Sequence, residues 1–238
     1  MNAVRKIFSM LKNLLQNLLQ KAGKTYSIDP RIPDRLLVRT IYIRTIMVIR
    51  GFMITGRKVF IGPGCKILNR RNIHFGKNVT IENNSVIDGY SSSKIVFGDC
   101  VKIGAYSKLL ATSHLATFGK GMTMGKNSAV GDFTHFGAPG GIEIGEDVIM
   151  GSYVSFHSEN HNFSDVNIPI REQGVTSKGI KIGDDVWVGA KVTFLDGCVV
   201  GSHSVVAAGA VVIGEFPDYA VIGGVPAKIL KMRTANGI

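Results

Sequence analysis

Apolar side chains return every six residues from Ile61 to Val212, with mostly small or polar residues between them. Taking the apolar residue as the first of each six, the series runs Ile61, Ile67, Phe75, Ile81, Ile87, Phe97, Ile103, Leu109, Met124, Val130, Phe136, Ile144, Met150, Phe156, Ile182, Val188, Phe194, Val200, Val206 and Val212. Glycine follows directly at 12 of these 20 positions, where 29 glycines in 238 residues would place two or three by chance. The fifth slot is small or β-branched, as in Ser85, Val101, Ser107, Ser128, Thr134, Val192, Cys198 and Ser204. A period of six matches neither the 3.6 of a helix nor the two of an ordinary strand. It predicts a solenoid in which each six is a short strand plus a turn, three of them closing a triangular coil around an apolar axis. Glycine in the second slot is expected to supply the sharp turn or positive φ that a Cβ resists.

Ahead of the repeat the period changes. Val4, Ile7, Phe8, Leu11, Leu14, Leu15, Leu18, Leu19 and Ala22 recur at helical spacing opposite Arg5, Lys6, Lys12 and Lys21, with no acid on the polar face, and Gly23 ends the pattern. This basic helix is suited to cover the open end of the solenoid, to pack on a partner, or to lie on an anionic membrane through residues 1–24. Asp29 to Pro33 reads as a turn, since two prolines in four residues discourage helix and sheet. Leu36 to Ile54 reads as a second amphipathic helix, because Arg39, Arg44 and Arg50 interrupt it too often for a membrane span. The expected organisation is a basic helical segment over 1–56, a repeat domain over 57–222 with a loop at 157–181, and a closing segment over 223–238.

The net charge of +11 comes almost entirely from the front, where residues 1–60 hold 12 Lys or Arg against Asp29 and Asp34. A basic segment raises nucleic acid as a partner, but no recognition module or interleaved stacking aromatics accompany it, so none is expected. Three cysteines suit a reducing compartment: Cys65 and Cys198 occupy the small slot and Cys100 a turn, and no local zinc motif is present. Lys12 and the neighbouring Asn and Gln residues break any apolar core of a secretory signal. The expected location is the cytoplasm, with peripheral contact to the inner face of the membrane.

The stretch Gly179 to Arg233 combines IGDDVWVGA, a VVAAGAVV turn and a closing GVPAKILKMR. In these motifs the chain resembles the hexapeptide-repeat acyltransferases, and among them the sugar and surface-polysaccharide O-acetyltransferases. The resemblance implies a mainly β fold, a left-handed parallel β-helix, although the general rule for parallel crossovers is right-handed. It also implies acetyl-CoA as donor, a sugar or polysaccharide acceptor, a homotrimer and no metal.

The beat fails most clearly between Phe156 and Ile182, an excursion carrying His157, Glu159, His161 and Asp165. Loops thrown out from a rigid scaffold are where chemistry tends to sit. In the resembling enzymes such a loop carries the catalytic histidine, and the match here is Asn160, His161, Asn162, Phe163, Ser164 and Asp165. The resemblance therefore makes His161 the general base, with His157 as runner-up. An imidazole is neutral often enough near pH 7 to accept a proton from an attacking hydroxyl. Glu159 or Asp165 could orient the ring, or could be ordinary loop carboxylates. By motif the cofactor contacts are Trp187, Ala190, Ala208 and Lys228, with Lys231 and Arg233 as weaker candidates. Ile213 and Gly214 stand where relatives often have Thr-Lys, which removes one expected phosphate contact. Ala138 to Gly141 reads as an irregular corner, with the alternative that it shapes an acceptor pocket beside His135.

Two other functions fit a solenoid of this kind. One is a zinc enzyme of the carbonic anhydrase type using His135, His157 and His161, whose diagnostic spacing is absent. The other is a non-catalytic structural or membrane-docking solenoid.

Overall fold

In a computed structural model, the described residues are 10, 12, 13, 15–17, 20, 27–112 and 114–234. They fall into two compact units, Met1–Ile46 and Met47–Ile238, divided inside a helix. In the first unit the described members of the N-terminal basic segment are helical, while the remainder of that expected helix, including its end at Gly23, lies outside the described residues. Lys12 donates to the carbonyls of Pro30 and Ile32 at 3.1 and 3.2 Å, and the Gln16 side chain accepts from the Ile28 amide at 2.8 Å. The turn expected at Asp29–Pro33 is present, closed by Ile32 N to Asp29 O at 3.1 Å. The Arg31 guanidinium beside Asp29 holds that carboxyl below its usual range.

The second helix spans Asp34–Thr55. Within the larger unit, Met47 and Thr55 are buried and Arg50 donates to the Ile61 carbonyl at 3.0 Å, so the last helical turns cover the first coil of the repeat. Gly51 permits this, because a Cβ there would sit 1.9 Å from the Val59 carbonyl oxygen.

The repeat forms three parallel sheets. Sheet A begins at Phe60–Ile61 and carries nine strands, the last of them antiparallel, sheet B begins at Lys66–Leu68 with seven, and sheet C begins at Ile73–Phe75 with seven. Register pairs each coil with the next, for example Ile61 with Ile81, Ile67 with Ile87, and Phe75 with Phe97. The first-slot residues face the axis. Phe136, Phe156 and Phe194 are fully buried and stack at 5.1 and 4.9 Å, and Phe75 lies 5.7 Å from Phe97. The closing segment is an antiparallel hairpin, Ala220–Gly224 with Ala227–Met232, that pairs onto sheet A through Val205 and Val206.

Glycine in the second slot does a different job from the one expected. The left-handed corner positions are mainly fourth-slot residues with side chains: Asn78, Cys100, Asn127, Asp147, Asp185, His203 and Tyr219 between sheets C and A, and Asn84, Tyr106, Phe133, Tyr153 and Lys191 between A and B. Asn and Asp tolerate that region best. At the second corner the aromatic rings of Tyr106, Phe133 and Tyr153 stack nearly parallel at 5.0 and 4.9 Å. Such contacts contribute about 0.5–1.5 kcal/mol each, which offsets a backbone cost of similar size. The second-slot glycines have ordinary φ and instead let coils touch. A Cβ on Gly104 would lie 2.3 Å from the Gly131 carbonyl carbon, and one on Gly189 would lie 2.4 Å from the Ala208 nitrogen.

Hydroxyls in the fifth slot are buried yet satisfied. Ser85 donates to Gly104 O at 3.0 Å and accepts from Ser107 N at 3.2 Å, and Ser128 links Gly145 O to Val148 N in the same manner. This is why serine and valine alternate in one slot: each Ser adds a bond between coils and leaves no orphaned polar atom.

Irregularity is confined to one edge. From sheet C to A and from A to B the first-slot residue always advances by six, as in Ile144, Met150 and Phe156. From sheet B to C it advances from Ile67 to Phe75, Ile87 to Phe97, Leu109 to Met124, Phe136 to Ile144 and Phe156 to Ile182 before the regular step Phe194 to Val200. Every insertion therefore leaves from the same corner of the prism. Replacing Gly104 with Ala is expected to destabilise the chain by about 1–3 kcal/mol through overpacking. An unchanged urea midpoint for this variant would remove the coil-contact account of the glycines.

Candidate active site

The largest insertion, between Phe156 and Ile182, starts and ends on buried polar anchors. Ser158 is fully buried, donating to Gly137 O at 2.9 Å and accepting from Gly140 N at 3.0 Å. At the other end Asp196, also buried, accepts from the Lys178 and Gly179 amides, each at 2.8 Å. A carboxylate gathering backbone N–H groups makes strong charge-assisted bonds, so the loop's exit is held by the following coil. Gly140 is obligatory at the entrance, where a Cβ would sit 2.1 Å from Ser158 O.

Between the anchors the chain makes a two-stranded antiparallel hairpin, Asn160–His161 against Val175–Thr176, with His161 opposite Val175. The far end is stapled by Gln173, whose side chain accepts from Asp165 N at 3.1 Å and donates to the Asp165 and Ile168 carbonyls at 2.7 Å. The Asn162 side chain donates to Gln173 O at 3.0 Å. His161 is thus an exposed residue on an ordered strand pair. Among the described residues no side chain hydrogen-bonds its ring. The two candidate orienting carboxylates are engaged inside the loop: Asp165 accepts from Asn167 N at 2.8 Å, and Glu159 meets the Ser177 hydroxyl at 3.5 Å.

His157 is an exposed residue on sheet B, its ring 5.9 Å from that of His135 on the preceding coil. Burial, with the charges of His157 and Lys108 beside it, pushes the His135 imidazole below its usual 6.5. Among the described residues no group of three His, Cys, Asp or Glu is arranged to hold a metal ion. The three cysteines are free thiols, and burial pushes that of Cys198 up to about 12.

Of the cofactor candidates, Ala190, Ala208 and Lys228 lie toward another edge, whereas Trp187, Lys231 and Arg233 lie toward the opposite end of sheet A. Ala190 and Ala208 are exposed and lie on successive coils at the corner between sheets A and B, joined by Gly209 N to Ala190 O at 2.9 Å. A Cβ added at Gly209 would meet no atom within 4 Å, so the space beside this corner is open. Lys228 pairs with Gly223, the residue after Val206's partner Ile222, and so sits at the same end of sheet A. Lys231 pairs with Val221, and Arg233 binds the His203 carbonyl, toward the opposite end. Trp187 faces outward as its sixth-slot position requires, 61% exposed, over a shallow cavity of about 190 Å³ shared with Asp147, Asp185 and Arg233. The Ala138–Gly141 stretch is an irregular corner: Gly141 takes φ +94° and Lys120 N bonds Pro139 O at 2.9 Å.

The sequence reading missed Ser158, Gln173 and Asp196. Replacing Asp196 with Ala is expected to abolish hydrogen-exchange protection at the Lys178 and Gly179 amides, while Asp196→Asn keeps part of it. Because folding holds His135 neutral, the unfolded chain takes up its proton first as pH falls below about 6.5, and stability drops with it. His135→Gln is expected to flatten the decline in urea midpoint between about pH 7 and pH 5; an equal slope in both proteins would exclude His135 as its source.

Residues 179–214 match the model of the bacterial transferase hexapeptide family, described as six repeats. A Mycobacterium tuberculosis protein named as an acetyltransferase is 30% identical over 167 residues, covering 70% of this chain, which spans about half, 52%, of that protein's length. An Escherichia coli protein named for an O-acetyl transferase of lipopolysaccharide biosynthesis is 31% identical over 174 residues, covering 70% of this chain and 75% of that protein. Among solved structures, a variant of the Bacillus cereus N-acyltransferase AntD in complex with dTDP and coenzyme A aligns with a TM-score of 0.51 and 20% identity, covering 76% of this chain and 83% of that one, a likeness of fold. With three stacked parallel sheets, one loop-bearing edge and this degree of identity to the Escherichia coli protein, the chain belongs to the hexapeptide-repeat acyltransferases, whose coil is the left-handed β-helix.

Proposed function

We propose that this protein transfers an acetyl group from acetyl-CoA to a hydroxyl of a sugar or cell-surface polysaccharide precursor. The observation that carries the reading is His161, presented on a hairpin whose two ends are fixed by buried Ser158 and Asp196. An idle surface loop has no need of such anchoring. The name of the Escherichia coli relative supports a glycan acceptor.

In this reading the acceptor oxygen attacks the thioester carbonyl carbon. A C–O bond forms and the C–S bond breaks. His161 takes the hydroxyl proton and returns it to the departing thiolate, so no covalent acyl-enzyme is needed. The pantetheine arm lies along the open corner of Ala190 and Ala208, where small side chains allow close backbone approach. Trp187 borders it and Lys228 meets a phosphate.

His161 and the Ala190–Ala208 corner belong to different edges of the prism. A complete site therefore combines the loop of one protomer with the corner of the next, and we take the working form to be a homotrimer. The basic front, with residues 1–24 resting on an anionic membrane at its inner face, suits an acceptor held there. No helix among the described residues is long and apolar enough to cross a membrane.

Thiol release from acetyl-CoA, measured against a panel of sugars and envelope oligosaccharides, tests the proposal. His161→Ala is expected to lower acceptor-dependent turnover by about 10²–10⁴-fold, the usual contribution of a positioned base. Turnover that survives this substitution would falsify the assignment of His161, and failure of the intact protein to bind CoA would remove the transferase reading itself.

A further inference from the structure

We propose that the outward face of the last helical turns before the repeat is a docking surface for an anionic lipid bilayer. The inference goes beyond acetyl transfer and does not depend on it. On these turns Met47, Gly51 and Thr55 are buried, whereas Ile49, Phe52 and Met53 are 53%, 63% and 73% exposed. Spaced at i, i+3 and i+4, these three share one face. Together with Val48 and Lys58 they line a groove of about 410 Å³.

Isolated exposed apolar residues are ordinary, but three large ones side by side on one helical face mark a surface that something covers. Charge identifies the occupant. Lys58 stands in the groove wall and Arg57 beside it is exposed, within a front segment of 12 basic and two acidic residues. The amphipathic stretch at residues 4–22 brings Arg5, Lys6, Lys12 and Lys21 and no acid, so it would set like charges against this rim. A second copy of the face would bring another Arg57 and Lys58. Lipid phosphates complement the rim while acyl chains accept Phe52 and Met53, which is the chemistry of an interfacial helix.

The test is co-sedimentation of the full chain with vesicles of phosphatidylcholine alone and of phosphatidylcholine mixed with phosphatidylglycerol. The intact protein is expected to bind the mixed vesicles only. Phe52→Ser combined with Met53→Ser is expected to weaken binding about tenfold or more, as the loss of two interfacial apolar side chains implies, with unfolding midpoint and mass by light scattering unchanged. Lys58→Glu, which leaves the apolar face intact, is expected to weaken binding to a smaller extent. The proposal is overturned if the intact protein ignores both vesicles, if it binds neutral ones equally well, or if the double variant binds as tightly as the parent, which would leave residues 1–24 as the anchor. A change in mass of the double variant would instead assign the face to a second copy of the chain.

Discussion

Backbone hydrogen bonds between successive coils set their separation at about 4.8 Å, and that spacing governs the rest of the chain. Two coils so close leave no room for a Cβ at the inside of each corner. Gly104, Gly131, Gly151 and Gly189 occupy such places, where an added carbon would fall within 2.3–2.6 Å of a neighbouring backbone atom. The same corners turn through a left-handed fourth residue, and those residues stack on one another: Asn127 donates to Asp147 at 3.0 Å, and His203 bonds Asp185 at 2.9 Å.

The same spacing makes the core a column rather than a ball. Each first-slot residue meets its equivalents one coil away, so similar shapes recur, and Phe136, Phe156 and Phe194 form a continuous ring stack. Stability in such a rod is close to a sum of neighbour terms. Its ends need separate treatment: the helical turns around Arg50 cover one, and the Ala220–Met232 hairpin extends sheet A at the other.

The period, the axial residues and the position of the long loop were all legible in the sequence, because a bulky residue every six positions has one geometric meaning. The Phe156 to Ile182 gap pointed to the loop that carries His157 and His161, with the family resemblance choosing His161, and the sixth-slot position of Trp187 gave its outward direction. The role of the second-slot glycines was not legible, since close approach and positive φ demand the same residue and only coordinates separate them. The anchoring by Ser158 and Asp196 was hidden for another reason. Each is a common polar residue whose partners lie 17–21 positions away, at Gly137, Gly140, Lys178 and Gly179, and no local pattern encodes a contact one coil removed. Gln173 depends on a loop conformation that repeat logic does not reach.

The confinement of every insertion to the corner between sheets B and C separates two kinds of change. At the other two corners the first-slot residue always advances by six, so each strand there begins at a fixed distance from the last. At this corner the extra length is absorbed before sheet C begins, as the regular pairing of Ile144 with Ile182 across the 20-residue hairpin segment 160–179 illustrates. Loop length and sequence can thus be rewritten along one seam while the column beneath keeps its register.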